Sequence, residues 1–287
     1  MPVSATVVER GDHLWYVSDL QDGRVSATFF GSGRAMVEAT DHAGTQAEIG
    51  FYEATLLRTS YDELRRLESG ARAAVGPAPS AVAPDVRSVS IGASPDGVRV
   101  EMRSFPLHEV PPAVLPSIEA ARRAVAEVMK SPGRVLRGAA RPASRSFRVG
   151  EAPVFEISLS NVGRDELQTG NPLCAADPDW TGLTLEIARE RTSGPVADSD
   201  TLSLLLGPQN VLALPGVVPP RGKLASLPPG GTLAFQVKRR ILASPGIYRA
   251  RLLYRAAPAE GDLTSIEGTL RIPLGTFEVV AGPGQKG

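Results

Sequence analysis

The sequence predicts an α+β domain over residues 1–138, an antiparallel sheet with two helices, followed by an all-β sandwich over residues 139–287. Three observations lead to this prediction. Both segments in which apolar residues recur with a helical period lie in the first half of the chain. Elsewhere, short alternating runs are separated by glycine and proline, a pattern typical of hairpins and sandwiches. The pattern changes near residues 134–146, which lack apolar periodicity and are predicted as a linker.

Two helices are predicted, over residues 60–75 and 117–130. Ser60 and Glu63 have the spacing of a capping box, in which both side chains satisfy free backbone N–H groups of the first turn. The second helix follows Pro116 and ends before Pro132, as prolines at helix ends commonly do. Each helix has one apolar face, formed by Leu64, Leu67, Ala71 and Ala74 in the first and by Ile118, Ala121, Val125 and Val128 in the second.

Three hairpins are predicted around these helices, because pairs of alternating runs flank turn residues. The pairs are 14–20 with 24–30, 35–40 with 45–57, and 86–91 with 98–105. An antiparallel sheet with helices on one face would bury the single apolar side of every element. Gly31-Ser32-Gly33 is predicted as a turn and not a phosphate loop, because a strand-like run follows it and Met36 stands where a third small residue is needed.

The second half alternates apolar and polar residues in short runs, and part of it resembles a known family. The runs FRVGEAPVFEISLSNVG at 147–163, LPPG at 227–230 and PGIYRA at 245–250 resemble immunoglobulin-like domains of the bacterial intracellular proteinase inhibitor type. The resemblance covers residues 146–280 and implies an immunoglobulin-like β-sandwich. This chain departs from the family by a long insertion, 189–227, and no inhibitory loop can be matched to it residue by residue.

The insertion mixes apolar residues with prolines and glycines between Thr201 and Leu227. We expect extra sandwich strands there, since exposed apolar patches are disfavoured in monomers. The alternative is a semi-rigid loop around Leu214 and Val217 that binds a partner protein, because prolines reduce the entropy lost on binding.

Composition excludes several classes of protein. The chain has 287 residues, 31 basic and 31 acidic residues, and one cysteine, so disulfide frameworks and cysteine zinc clusters are excluded. No run of 18 apolar residues occurs, and the first residues lack the basic and apolar regions of a secretory signal. Only four basic residues are lysines, a bias typical of GC-rich bacterial genomes. We expect a cytoplasmic bacterial protein that binds neither nucleic acid nor membranes.

Catalytic chemistry has little support in the sequence. The three histidines, His13, His42 and His108, have no spacing that joins two of them on one face. The acidic pairs Asp177/Asp179 and Asp198/Asp200 could bind calcium, but turn formation is the favoured interpretation. Cys174 is expected to be a small buried residue and not a reactive thiol. We therefore predict no catalytic residue, no metal site, no cofactor and no enzymatic activity.

One basic surface is predicted instead. A hairpin over 236–255 would place five basic side chains on the face opposite Tyr248 and Leu252: Lys238, Arg240, Arg249, Arg251 and Arg255. A solvated outer face is the ordinary interpretation, and docking of an acidic protein surface is the functional one. We hypothesise a non-catalytic protein-binding module, an inhibitor or immunity-type protein that neutralises an enzyme or toxin. The alternatives are a structural subunit of a larger complex and, with less support, a metal-dependent enzyme.

Overall fold

The computed structural model describes residues 13–20, 23–42, 47–75, 87–94, 101–174, 182–190, 201–216, 218–240, 244–256 and 266–281. The chain divides into two compact units. Unit 1 comprises Met1–Thr40 and Phe51–Gly133, and unit 2 comprises Asp41–Gly50 and Arg134–Gly287. The domain boundary that the sequence places after residue 138 stays a prediction.

Unit 1 contains two α-helices and most of six strands. In chain order the elements are β1 His13–Leu20, β2 Gly23–Phe30, β3 Arg34–His42, β4 Ala47–Thr55, α1 Arg58–Val75, β5 Ser88–Ser94, β6 Glu101–Pro106 and α2 Leu115–Val128, with a short 3-10 turn at Leu107–Glu109. The strand order is β4-β3-β2-β1-β5-β6. Antiparallel pairing of β1 with β2 and of β5 with β6 confirms two of the predicted hairpins, and β3 and β4 are neighbours as predicted.

The two helices pack against each other and against β5. Their buried side chains include Leu64 and Ala71 of α1 and Ile118 and Val128 of α2, which belong to the predicted apolar faces. The predicted capping box is wrong, because α1 begins at Arg58 and Ser60 lies in its first turn. The backbone N–H of Ser60 donates to the Leu57 carbonyl at 2.9 Å. Neither described helix has an apolar stretch that would span a bilayer.

Unit 2 is built from strands and short turns. In chain order the strands are β7 Pro132–Pro142, β8 Ser146–Arg148, β9 Val154–Asn161, β10 Leu167–Gly170, β11 Leu183–Arg189, β12 Thr201–Leu205, β13 Val211–Ala213, β14 Leu224–Leu227, β15 Thr232–Lys238, β16 Gly246–Ala256 and β17 Gly268–Val280. Neighbouring strands follow the orders β13-β15-β9-β7, β12-β11-β16-β17-β8 and β10-β14. We call the second of these the five-stranded sheet.

The predicted linker over 134–146 is wrong, because its first nine residues lie in β7. This strand pairs antiparallel with β9, from Leu136 opposite Asn161 to Pro142 opposite Phe155. It is also the neighbour of β4, whose first residues belong to unit 2. Small side chains are needed here, since a Cβ atom on Gly138 would lie 2.5 Å from the Ile272 side chain. A strand prediction depends on alternating apolar and polar side chains, and the small residues Gly138, Ala139 and Ala140 do not show that alternation.

Aromatic side chains join the two larger strand groups of unit 2. The rings of Phe155 on β9 and Phe277 on β17 are 5.9 Å apart and inclined at 64°. Phe147 and Tyr248 also contact Phe277, at 5.6 and 5.8 Å between ring centroids. The inner side of the five-stranded sheet therefore faces β9 across an apolar core. The chain as described is mostly β with two α-helices, which confirms the coarse part of the predicted fold class.

The insertion contains strands, as expected. β12, β13 and β14 all lie between Arg189 and Leu227, and a 3-10 turn at Pro208–Asn210 connects the first two. Val211 of β13 and Ala225 and Leu227 of β14 are buried, as is Leu206 just after β12, so the insertion contributes to the core of unit 2.

Candidate functional site

The predicted basic hairpin over 236–255 is wrong. Lys238 ends β15, which pairs with β9 and β13, whereas Arg249 belongs to β16, which pairs with β11 and β17. The two strands lie in different strand groups, so the five basic side chains do not share a hairpin face. Alternation alone does not distinguish the two arrangements, because strands of one sheet and strands of facing sheets both bury every second residue.

The outer face of the five-stranded sheet carries three of the five predicted basic residues, Arg249, Arg251 and Arg255. The register places its outward residues in rows across four strands. One row is Thr201, Ala188, Arg249 and Thr276, the next is Ser203, Glu186, Arg251 and Pro273, and the third is Leu205, Thr184, Leu253 and Arg271. The first two rows, apart from Ser203, line a concave region of about 710 Å³, here called the arginine depression.

A β-bulge shapes the arginine depression. Ala250 lies opposite Gly275, but the next residue, Arg251, lies opposite Pro273, so Leu274 is an extra residue in β17. Gly275 has a φ of +82°, a conformation that glycine adopts without steric cost. Bulges bend the strand and reorient neighbouring side chains. The small residues Ala250 and Gly275 form the floor below the charged side chains.

Two ion pairs orient the arginines of the depression. Arg249 Nη2 lies 3.1 Å from Glu190 Oε1, and Arg251 Nε donates to Glu186 Oε2. The Arg249 and Arg251 side chains are 73% and 54% exposed, whereas those of Glu190 and Glu186 are 33% and 14% exposed. Each carboxylate therefore lies deeper than its guanidinium partner. Because one or two of the five guanidinium N–H groups suffice for the ion pair, the others remain available at the surface.

A third arginine lies at the rim and closes a turn. Arg189 Nη2 donates to the Pro245 carbonyl at 2.8 Å, and its side chain covers Gly246 at the start of β16. Arg255 is exposed farther along β16, and its backbone N–H donates to the Gly182 carbonyl at 2.8 Å. The depression is thus lined by three arginines and two glutamates, a local excess of positive charge.

The other predicted contact residues lie elsewhere. Lys238 and Arg240 are exposed near the end of β15. Leu214 follows β13, is half-buried, and lines a shallow hollow of about 320 Å³ with Ala139, Ser158 and Ala234. Val217 lies outside the described residues, as do Asp177, Asp179, Asp198 and Asp200.

Titratable groups in the described part of the chain do not assemble into a metal centre. Among those residues, no three His, Cys, Asp or Glu side chains cluster closely enough to hold an ion. His108 is exposed and lies 3.2 Å from Glu109, its neighbour in sequence. Cys174 is a half-buried free thiol. The cofactor, metal and enzyme expectations stay predictions.

Sequence reasoning missed the two glutamates of the depression and the hydrogen bonds of a buried tyrosine on the inner face of the same sheet. Tyr254 donates to the Gly170 carbonyl at 2.8 Å and lies 2.7 Å from Thr169 Oγ1, so it ties β10 to the five-stranded sheet. Burial raises the pKa of the Tyr254 phenol, and its hydrogen bonds with Thr169 and Gly170 oppose that rise. The only sequence signal for Tyr254 is its place in the inward alternation of β16.

No protein-family model and no curated protein matches this chain. Matching solved structures include a CARDB domain in complex with di-metal ions from Pyrococcus furiosus, at 10% identity and a TM-score of 0.25 over 50% of this chain and 87% of that one. The putative ApaA protein from Bordetella pertussis matches at 15% identity and a TM-score of 0.26, over 54% of this chain and 99% of that one. The alkylpurine DNA glycosylase AlkC from Pseudomonas fluorescens, bound to DNA containing an abasic site analog, matches at 12% identity and a TM-score of 0.27. That match covers 61% of this chain and 40% of the glycosylase. Scores this low assign this chain no function.

Proposed function

We propose that this protein is a non-catalytic protein-binding module whose unit 2 is an immunoglobulin-like sandwich with a docking surface at the arginine depression. Its partner carries an acidic surface, and the protein acts as an inhibitor or immunity-type protein that neutralises an enzyme or toxin. The observation that carries the proposal is the depth difference within the ion pairs. Arg249 and Arg251 extend farther into solvent than the glutamates that hold them.

This arrangement suits recognition of carboxylates on another protein. Exposed ion pairs contribute only about 0–1 kcal/mol, so an incoming carboxylate can share the guanidinium groups at little cost. Glu186 and Glu190 meanwhile limit the rotamers of the arginines, which reduces the entropy lost when a partner binds. Ala250 and Gly275, which also line the depression, add little bulk beside the arginines.

The expected binding mechanism is electrostatic steering. A local positive potential accelerates encounter with an acidic surface, and salt weakens the effect because charges farther apart than about 8–10 Å are screened at physiological ionic strength. The shallow, open form of the depression fits a protruding side chain or loop of a folded partner. We therefore expect association rates to respond to charge reversal more strongly than dissociation rates.

Charge reversal tests the proposal with a matched control. Immobilised wild-type protein, Arg249→Glu/Arg251→Glu and Lys238→Glu/Arg240→Glu are exposed to native-host extract at low salt. Both double variants change the charge by the same amount, but only the first alters the depression. A protein retained by the wild type and by the control, and lost from the first variant, is then purified and its association rate measured at two salt concentrations. Equal retention by both variants, or a salt-independent rate, contradicts the proposal.

A structural subunit of a larger complex is the second candidate. The observation that favours it is the uncharged outer strand β12, which exposes Leu202 and Leu205 beside the depression. Size-exclusion chromatography with light scattering separates the candidates, because an assembly subunit forms species larger than a dimer as concentration rises, whereas a binder without its partner does not.

A further inference from the structure

Strand β12 lies at an edge of the five-stranded sheet, since within the described residues it has β11 as its only neighbour. The backbone N–H of Leu206, which follows β12, donates to the Leu183 carbonyl at 3.0 Å. In an antiparallel pair, hydrogen-bonded positions alternate. Leu204 opposite Leu185 and Leu202 opposite Ile187 are therefore the positions bonded to β11.

The alternate positions direct their backbone groups away from the sheet. By the same alternation, the N–H and C=O groups of Thr201, Ser203 and Leu205 point outward at the edge. These groups form an incomplete ladder that a further strand would complete.

The residues of β12 itself are not of the kinds that usually protect an edge. Its sequence, TLSLL, contains no charged residue and no proline. Leu205 is 74% exposed and Leu202 is 48% exposed. Soluble proteins commonly block edge strands with lysine, proline or a bulge, and an unblocked apolar edge indicates a surface that pairs with another strand.

We propose that the partner of this edge is β12 of a second copy of the chain, in an antiparallel pair with its two-fold axis at Ser203. In this register Ser203 lies opposite Ser203 of the second copy, and Thr201 lies opposite Leu205. All three outward positions then form hydrogen-bonded pairs, which gives about six intermolecular hydrogen bonds. The five-stranded sheets of the two copies become continuous.

Side-chain pattern favours a second copy over an unrelated extended peptide. The same register brings Leu202 opposite Leu204 of the second copy, on the side of the sheet where Leu185 and Ile187 are buried. This non-hydrogen-bonded pair has the closer side-chain approach, so the half-exposed Leu202 gains an apolar neighbour. The net charge of the chain is zero, so two copies approach without overall repulsion.

The dimer is expected to be weak. Five residues on each side bury less than the roughly 1,600 Å² of a standard stable interface, so we expect dissociation constants in the micromolar range or above. The inference is independent of the proposed partner at the arginine depression, because a monomeric protein could still bind that partner.

Sedimentation equilibrium over a wide concentration range measures the self-association. Ser203→Pro removes an outward N–H group and leaves the bonds of Leu202 and Leu204 to β11 in place, and edge strands tolerate proline at such positions. We expect it to weaken dimerisation at least about tenfold. Ser203→Thr keeps the N–H group and should dimerise like the wild type. Thermal melts check that both variants remain folded.

A second pair of variants tests the side chains without changing the backbone. Leu205→Lys places a charge at the edge, whereas Ile247→Lys makes a comparable change at an exposed position of β16 away from it. We expect Leu205→Lys to abolish dimerisation and Ile247→Lys to preserve it. A wild-type monomer at every concentration, as expected if an extended segment of another protein is the occupant, overturns the proposal. So does a dimer that survives Ser203→Pro and Leu205→Lys.

Discussion

The hydroxyl of Tyr254 lies 2.7 Å from Thr169 Oγ1 and donates to the Gly170 carbonyl, so one buried phenol joins the edge of β10 to the five-stranded sheet. Since the single phenolic proton goes to Gly170, the Thr169 hydroxyl must donate to Tyr254. Ionisation of Tyr254 would remove the bond to Gly170 and leave a buried negative charge in the core of unit 2.

Stability should therefore fall at alkaline pH. Because burial raises the pKa of Tyr254 above its ordinary value of about 10, the unfolded chain releases this proton before the folded chain does. The contribution is constant below pH 10 and decreases above it, by up to about 1.4 kcal/mol per pH unit. Urea unfolding of the wild type and of Tyr254→Phe from pH 7 to 11 measures this contribution to the free energy of unfolding. The variant should lose about 1–2 kcal/mol at pH 7 and show a shallower alkaline slope. Equal slopes would remove Tyr254 from the explanation.

Gly50→Ala should destabilise the protein strongly. A Cβ atom at this position would lie 2.1 Å from the Arg134 carbonyl oxygen, and the φ of +133° is itself unfavourable for alanine. We expect a loss of more than about 2 kcal/mol, because the obstructing atom is backbone and cannot rotate away. Gly70→Ala is the matched control. Nothing lies within 4 Å of its Cβ position in α1, so helix propensity should make it neutral or stabilising by up to about 1 kcal/mol. Similar effects at both glycines would contradict the close approach of β4 and β7.

Asn171→Ala should cost about 2–4 kcal/mol. The buried side-chain amide donates to the Pro220 and Gly222 carbonyls, each at 2.9 Å, and its oxygen accepts from the Leu173 N–H at 3.1 Å. Truncation leaves all three backbone groups without this partner. Thermal unfolding measures the loss, and hydrogen exchange at Leu173 reports the local opening. A change within about 0.5 kcal/mol, the usual range for surface substitutions, would show that water replaces the amide.

Glu186 and Arg251 should couple weakly in stability. A double-mutant cycle with Glu186→Ala and Arg251→Ala is expected to give at most about 1 kcal/mol, because Arg251 is more than half exposed. Chemical denaturation of the four proteins measures the coupling. A value above about 2 kcal/mol would mean that Arg251 is committed to its intramolecular pair, which would weaken the docking proposal.

Elements with strong local patterns could be predicted from sequence. Apolar repeats placed both helices within two residues of their observed ends. The Asp22-Gly23 pair correctly predicted that β1 and β2 form a hairpin, although Asp22 itself lies outside the described residues. The Ser60 capping box failed because Leu57 supplies the first carbonyl acceptor, three positions earlier than the pattern implies.

Relationships between distant segments could not be predicted. Arg251 was identified as exposed from alternation alone, but Glu186 becomes its partner only through the register of β11 with β16, which are separated by more than fifty residues. The grouping of Lys238 with Arg249 failed for the same reason, since a local pattern does not state which sheet a strand joins.

Because Leu274 is an extra residue, the inward-facing positions of β17 are even-numbered before it and odd-numbered after it. Before it, the even-numbered Leu270 and Ile272 are buried, and after it the odd-numbered Phe277 and Val279 are buried. Deleting Leu274 would therefore remove the bulge and its bend, and would bring Phe277 and Val279 into the same alternation as Leu270 and Ile272, with these side chains still facing inward. With all thirteen residues present, β17 keeps both halves of its apolar face inward only because the bulge absorbs the change from even-numbered to odd-numbered buried positions. The same change in a related sequence would indicate a bulge at the same place.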